Sequence, residues 1–92
     1  MKSMIRRYNK RKDTEGLSGT EARECEAVRR AIENTLLLNG GTERIELVDI
    51  IFWKRTHTIQ GAAMVLHLSD RTAQRWHSEF IREVARQFGL IE

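Results

Sequence analysis

The sequence predicts a small all-α domain, and three observations predict it. There is no proline in 92 residues, so nothing forces a helix to break. Most of the six glycines fall between segments whose apolar residues recur every three or four positions. Strand-like alternation is absent, even in the Val-, Ile-, Phe- and Trp-rich stretch around residues 45–53. Apolar residues make up 40% and charged residues 32%, the proportions of one globular domain with a modest core.

Four helices are expected in order. The first opens at Leu17-Ser18-Gly19-Thr20-Glu21-Ala22, where Ser18 can cap, Glu21 can bond back, and Leu17 can pack on Ala22. Cys25, Val28, Ile32 and Leu36 then recur as one stripe, and Asn39-Gly40-Gly41 ends the helix. The second is expected to be capped by Thr42, with Ile45, Val48 and Phe52 on one face and Leu47, Ile51 and Trp53 widening it. After a connection over residues 54–58, the third runs over about 59–66. The fourth runs over about 70–87, with Ser69 as cap and Gly89 just past its end.

The charge is unevenly placed. Lys2, Arg6, Arg7, Lys10, Arg11 and Lys12 have no acid among them, so residues 1–12 carry +6. Residues 13–53 carry −5 and residues 54–92 carry +2, against +3 for the chain. Residues 1–16 therefore read as a basic N-terminal arm and 17–92 as the helical domain. Such an arm attracts polyanions, and its plain alternative is a solvated terminus. Arg6, Arg7, Lys10, Arg11 and Lys12 are its expected DNA-backbone contacts.

The last two helices carry the functional signal. Ala62 and Ala63 allow close backbone approach, Leu66 and Leu68 flank the turn, and Ala73 and Trp76 face back from the second helix. This is the pattern of a DNA-binding helix-turn-helix at about 59–87, with His67 where many such motifs have glycine. At about 100° per residue, Ala73, Trp76, Phe80 and Val84 share one side of the fourth helix. Arg71, Gln74, Arg75, Ser78 and Arg82 share the other. Arginine can hold guanine N7 and O6 together, glutamine can do the same for adenine, and a recognition helix reads bases near its N-terminus. The plain alternative is a solvated polar face. Ser78, and Lys54 and Arg55 in the connection before the third helix, join the expected DNA-binding set.

The run TERIELVDIIFWKRTHTIQGAAMVLHLSDRTAQRWHSEFIREVARQFGL, about half of the chain, resembles the RinA/ArpU-type phage late transcription regulators. The resemblance implies a small helical protein of phage or prophage in Gram-positive bacteria that activates late or packaging genes. It implies a C-terminal helix-turn-helix similar to the promoter-reading part of bacterial sigma factors, the sigma region 4-like type. It would place Ser69, Arg71, Thr72, Gln74 and Arg75 at the DNA. It does not extend to the N-terminal portion.

Other chemistries find little support. His57, His67 and His77 are not completed into a ligand set by cysteine or carboxylate, so no metal and no cofactor are expected. Cys25 is the lone cysteine and lies on the apolar stripe, as a structural thiol does. No phosphate-binding glycine loop or nucleophile elbow is present, and the expectation is a protein that is not an enzyme. No apolar run nears the ~18 residues of a membrane span. The lone thiol and the absence of an apolar stretch after the basic start fit the cytoplasm.

A sequence-specific transcription regulator binding double-stranded DNA is the leading expectation. One alternative is the DNA-recognition small subunit of a phage packaging complex. The other is a protein-binding adaptor whose acidic middle and wide apolar helix contact RNA polymerase. The oligomeric state is left between a homodimer, to which small size and apolar surface around residues 36–38 and 45–53 point, and a single reading head of the sigma-like kind.

Overall fold

A computed structural model describes residues 2–11 and 19–89, and all regular structure among them is helical. In order these are α1 (Lys2–Arg11), α2 (Gly19–Leu36), α3 (Gly41–Val48), a π-helical segment (Asp49–Lys54), α4 (Ile59–Val65) and α5 (Asp70–Phe88). The expected Ser18 cap, the Leu17 half of the staple, and Lys12 lie outside the described residues.

The N-terminal segment departs from expectation. Residues 2–11 of the expected arm form α1, with Met4 and Ile5 buried. Met4, Ile5 and Tyr8 fall at i, i+1 and i+4, which gives the cationic helix one apolar stripe. That stripe packs into a cluster with Val28, Ala31, Val48, Phe52, Phe80 and Val84. The Trp53 indole N–H donates to the Ile5 carbonyl at 2.8 Å, and the Tyr8 ring lies 6.0 Å from that of Trp53. A boundary at residue 16 therefore does not separate an arm from the core.

On α2 the buried positions are Ala27, Val28, Ala31 and Thr35. The expected stripe of Cys25, Val28, Ile32 and Leu36 is turned about the helix axis, since Cys25 and Ile32 are only partly covered and Leu36 is exposed. The small side chains of Ala27 and Ala31 let α2 lie close to α5, its most extensive neighbour.

The corner between α2 and α3 is built on glycine. Gly40 takes a left-handed conformation at φ 70°, and a Cβ there would meet the Trp76 ring at 3.3 Å. A Cβ on Gly41 would lie 2.6 Å from the carbonyl oxygens of Thr35 and Leu36. Thr42 is not the cap: Gly40 holds that position, without a side-chain hydrogen bond. The left-handed backbone and the nearness of Trp76 select glycine over a capping side chain at 40, and α2's last carbonyls select glycine at 41.

The second expected helix is α3 continued by the π-helical segment. A π-turn takes up an extra residue and widens the helix. Three consecutive large side chains thereby find different apolar partners. Phe52 enters the first cluster, Trp53 lies against Tyr8 of α1, and Ile51 packs on both this cluster and a second one. The second cluster joins Leu47, Ala62, Ala63, Ala73 and Trp76.

The last two helices stand within one residue of expectation. Thr58 caps α4 by accepting from the Gly61 N–H at 3.2 Å, and Ser69 caps α5 by accepting from the Thr72 N–H at 3.1 Å. Between them, the Leu68 N–H reaches the Ala63 carbonyl at 2.8 Å and the His67 N–H reaches that of Met64 at 3.3 Å. This is the Schellman pattern, which needs a left-handed residue after the C-cap. His67 supplies it at φ 58°. The turn is thus the one glycine usually makes, built by a residue that tolerates it less well.

His67→Gly is therefore expected to stabilise the protein by up to ~1 kcal/mol: left-handed strain of ~1–2 kcal/mol is relieved, and glycine's extra unfolded-state entropy takes back ~0.5–1. A urea titration of the two proteins checks this. A clearly lower midpoint for the glycine variant would show that the imidazole makes contacts outweighing the strain.

Candidate nucleic-acid interface

Residues on α5 divide as the 3.6-residue period requires. Ala73, Trp76, Phe80 and Val84 are buried against the other helices, and His77 joins them. Arg71, Gln74, Arg75, Ser78 and Arg82 are exposed. Arg71 and Arg75 lie four residues apart near the capped end, so their guanidinium groups leave the same face. Arg75 is only loosely held, its Nε 3.8 Å from Glu79. Glu79 is engaged chiefly by Arg44 at 2.6 Å, and the Arg44 guanidinium also lies over the Trp76 ring at 4.9 Å.

Ser69 and Thr72 are occupied with the helix end. Besides its capping bond, the Ser69 hydroxyl donates to the Thr72 hydroxyl oxygen at 2.9 Å. Thr72 keeps its own hydroxyl proton free for a further acceptor.

The structure brings some expected residues together and parts others. Arg6 of α1, Arg55 at the end of the π-helical segment, and Gln74 of α5 line one groove of about 530 Å³. Lys2, Gln60, His57 and His77, absent from the expected DNA-binding set, line it too. Arg7 turns away to Glu24 at 3.3 Å, and Lys54 pairs with Asp49 at 3.3 Å. Lys10 and Arg11 belong to α1. Arg82 instead lines a cavity of about 330 Å³ with Arg44, Trp76, Glu79, Glu83 and Arg86.

Lys2 and the groove were recoverable from the sequence only through the Met4-Ile5-Tyr8 stripe, which marks α1 as a folded helix. A count of charges hides that stripe.

Comparison of the chain with protein-family models, with curated proteins and with solved structures finds no match.

The three histidines have separate surroundings. His77 is stacked on Phe52, ring centroids 5.3 Å apart and planes 4° from parallel. Burial holds its pKa below the ordinary histidine value, and the positive charge of Lys2 adds to that. His57 Nδ1 lies 2.9 Å from the Thr56 hydroxyl, and His67 forms the turn. Among the described residues no group of three or more His, Cys, Asp or Glu side chains is placed to hold a metal ion, and no helix is long and apolar enough to cross a membrane.

The acidic middle is partly taken up internally. Arg29 pairs with Glu26 and Glu33, Arg30 pairs with Glu26 at 3.0 Å, and Glu24 with Arg7. Of the apolar surface expected to remain over residues 36–38 and 45–53, Leu47, Val48 and Phe52 are consumed by the core. Leu36, Leu37 and Leu38 stay exposed, Leu37 by 85%.

Proposed function

We propose that this protein is a sequence-specific DNA-binding regulator of transcription that reads the major groove with the N-terminal half of α5. The α4–α5 pair acts as a helix-turn-helix of the sigma region 4-like type, with Arg71, Gln74 and Arg75 as base readers. Ser69, Thr72 and Ser78 flank them. The observation that carries this reading is the division of α5. Its apolar side is buried in the core while two guanidinium forks and an amide leave its capped end, beside a glycine-like turn. The resemblance of residues 42–90 to the RinA/ArpU-type regulators supports the same reading. It extends the proposal to activation of late genes in a phage or prophage, in the cytoplasm of the host.

A binding selection on randomised duplexes, run with the parent and with Arg71→Ala and Arg75→Ala, tests the proposal. Each substitution is expected to cost ~1–3 kcal/mol on the preferred site and to relax preference at one base position. Uniform weakening across all sequences would assign the arginine to phosphate. Two variants that keep every base preference of the parent would remove α5 from recognition.

A second reading draws on the exposed Leu36–Leu38 ridge: an adaptor that holds another protein, RNA polymerase or a second copy of this chain, with DNA secondary. It predicts little salt-dependent affinity for any duplex, where the first reading predicts a steep salt dependence.

A further inference from the structure

We propose that the groove walled by Lys2, Arg6, Arg55, Gln60 and Gln74 seats a backbone phosphate of the same duplex whose bases α5 reads. The inference rests on the DNA-binding reading and deepens it: α1, which lies outside the helix pair, sets the register of the recognition helix.

Three features of the groove support this. Its cations come from two elements some fifty residues apart in the chain, Lys2 and Arg6 from α1 and Arg55 from the end of the π-helical segment. No acidic residue lines it. Several cations outside the groove are paired, Arg7 with Glu24, Arg44 with Glu79, Lys54 with Asp49 and Arg86 with Glu83, whereas Arg71 and Arg82 on the exposed face of α5 are not paired among the described residues. Among the described residues Lys2, Arg6 and Arg55 have no such pair, so their combined field is directed at whatever enters the groove.

The second feature is strain. Arg55 sits at φ 56°, in the left-handed region that costs a non-glycine residue ~1–2 kcal/mol. A left-handed arginine at the end of the π-helical segment directs a cation into the groove where glycine would supply none. Backbone outliers of this kind concentrate at ligand contacts. The third feature is neutral hydrogen-bonding capacity beside the cations, from the Gln60 amide, the Thr58 hydroxyl and His57.

Gln74 ties the groove to recognition. It lies on the exposed face of α5 next to Arg71 and Arg75, and it also forms one wall of the groove. A phosphate seated there is adjacent to the bases Gln74 reaches. Phosphate contacts position a protein on the duplex and base contacts specify the sequence, so the two functions meet at one side chain.

The test compares the full chain with a triple variant, Lys2→Gln, Arg6→Gln and Arg55→Asn. All three residues are exposed, and asparagine tolerates the left-handed backbone. Affinity for a selected duplex is measured over a range of salt concentrations, with Arg7→Gln as a control outside the groove. The slope of log affinity against log salt is expected to become shallower by at least ~0.9, the value for one phosphate lost. Arg7→Gln keeps the parent slope. Ethylation of individual backbone phosphates is expected to reveal one position that blocks the parent and no longer matters to the triple variant.

If the parent binds the duplex and the triple variant keeps its slope, the groove has no phosphate role. The same follows if Arg7→Gln flattens the slope as much, because a diffuse basic field then accounts for the effect. If the parent itself shows no salt-dependent affinity for any duplex, the DNA-binding reading falls instead.

Discussion

Replacing Met4 and Ile5 together by alanine is expected to destabilise the protein by ~3–6 kcal/mol, from ~1.5–3 kcal/mol for each buried side chain. Ile5 is 0% exposed and packs with Val28, Phe52, Phe80 and Val84. Its loss opens a cavity where α1, α2, the π-helical segment and α5 meet, and a domain of this size has only ~5–15 kcal/mol in total. Urea unfolding followed by circular dichroism measures the effect. Lys2→Gln and Arg6→Gln, on the exposed face of the same helix, are expected to stay within ~0.5 kcal/mol of the parent. The contrast separates the apolar stripe, which carries stability, from the cationic face, which is free for the binding role proposed for it. A midpoint left unmoved by the double alanine variant would return the segment to an arm that does not share the core.

Trp76→Ala is expected to cost ~3–5 kcal/mol, the range for a buried aromatic truncation. Trp76 is 9% exposed, packs with Leu47, Ala62, Ala63 and Ala73, lies under the Arg44 guanidinium and stands where a Cβ on Gly40 would meet its ring. The side chain therefore holds α5 against α4 and against the corner between α2 and α3. Trp76→Phe separates shape from polarity. The indole N–H is buried without a hydrogen-bond partner among the described residues, a condition that costs ~1–3 kcal/mol. Phenylalanine removes that donor and keeps a ring, so its loss is expected to be well under half that of alanine. Equal losses for the two variants would show that the indole nitrogen has a partner after all. The same unfolding titration reads both.

The ends of α4 and α5 were legible because they are set by neighbours in the chain. Ser69 and Gly89 act on residues within a few positions, and the structure places both where their chemistry predicts, while Thr58, read only as part of the connection, caps α4 by the same local chemistry. The buried side of α5 was legible for a similar reason, since nineteen residues repeat one period often enough to define a face. Thr42 failed as a cap because its competitor acts through space: Gly40 and Gly41 are required by the nearness of Trp76 and of α2's last carbonyls. The stripe on α2 was misread because alanine at 27 and 31 carries little hydrophobic weight in a pattern yet fits a close helix contact.

For the candidate site, the exposed face proposed to read bases was visible in the spacing of Arg71, Gln74 and Arg75, whereas the groove beside it was not. Its walls come from α1, the π-helical segment, α4 and α5, and no local period links Lys2 to Gln74.

The sequence by itself determined the helical class, the α4–turn–α5 unit and the polar face of α5, because each depends on side chains within a turn or two of one another. Only the tertiary structure decided that the basic start is a helix in the core, that residues 49–54 widen into a π-turn, and that three cations without an ion-pair partner among the described residues line one groove with Gln74. Those outcomes depend on where apolar stripes distant in the chain find partners. Burial of Ile5 against Phe52 and Phe80 is a free-energy balance among whole helices that no local pattern contains.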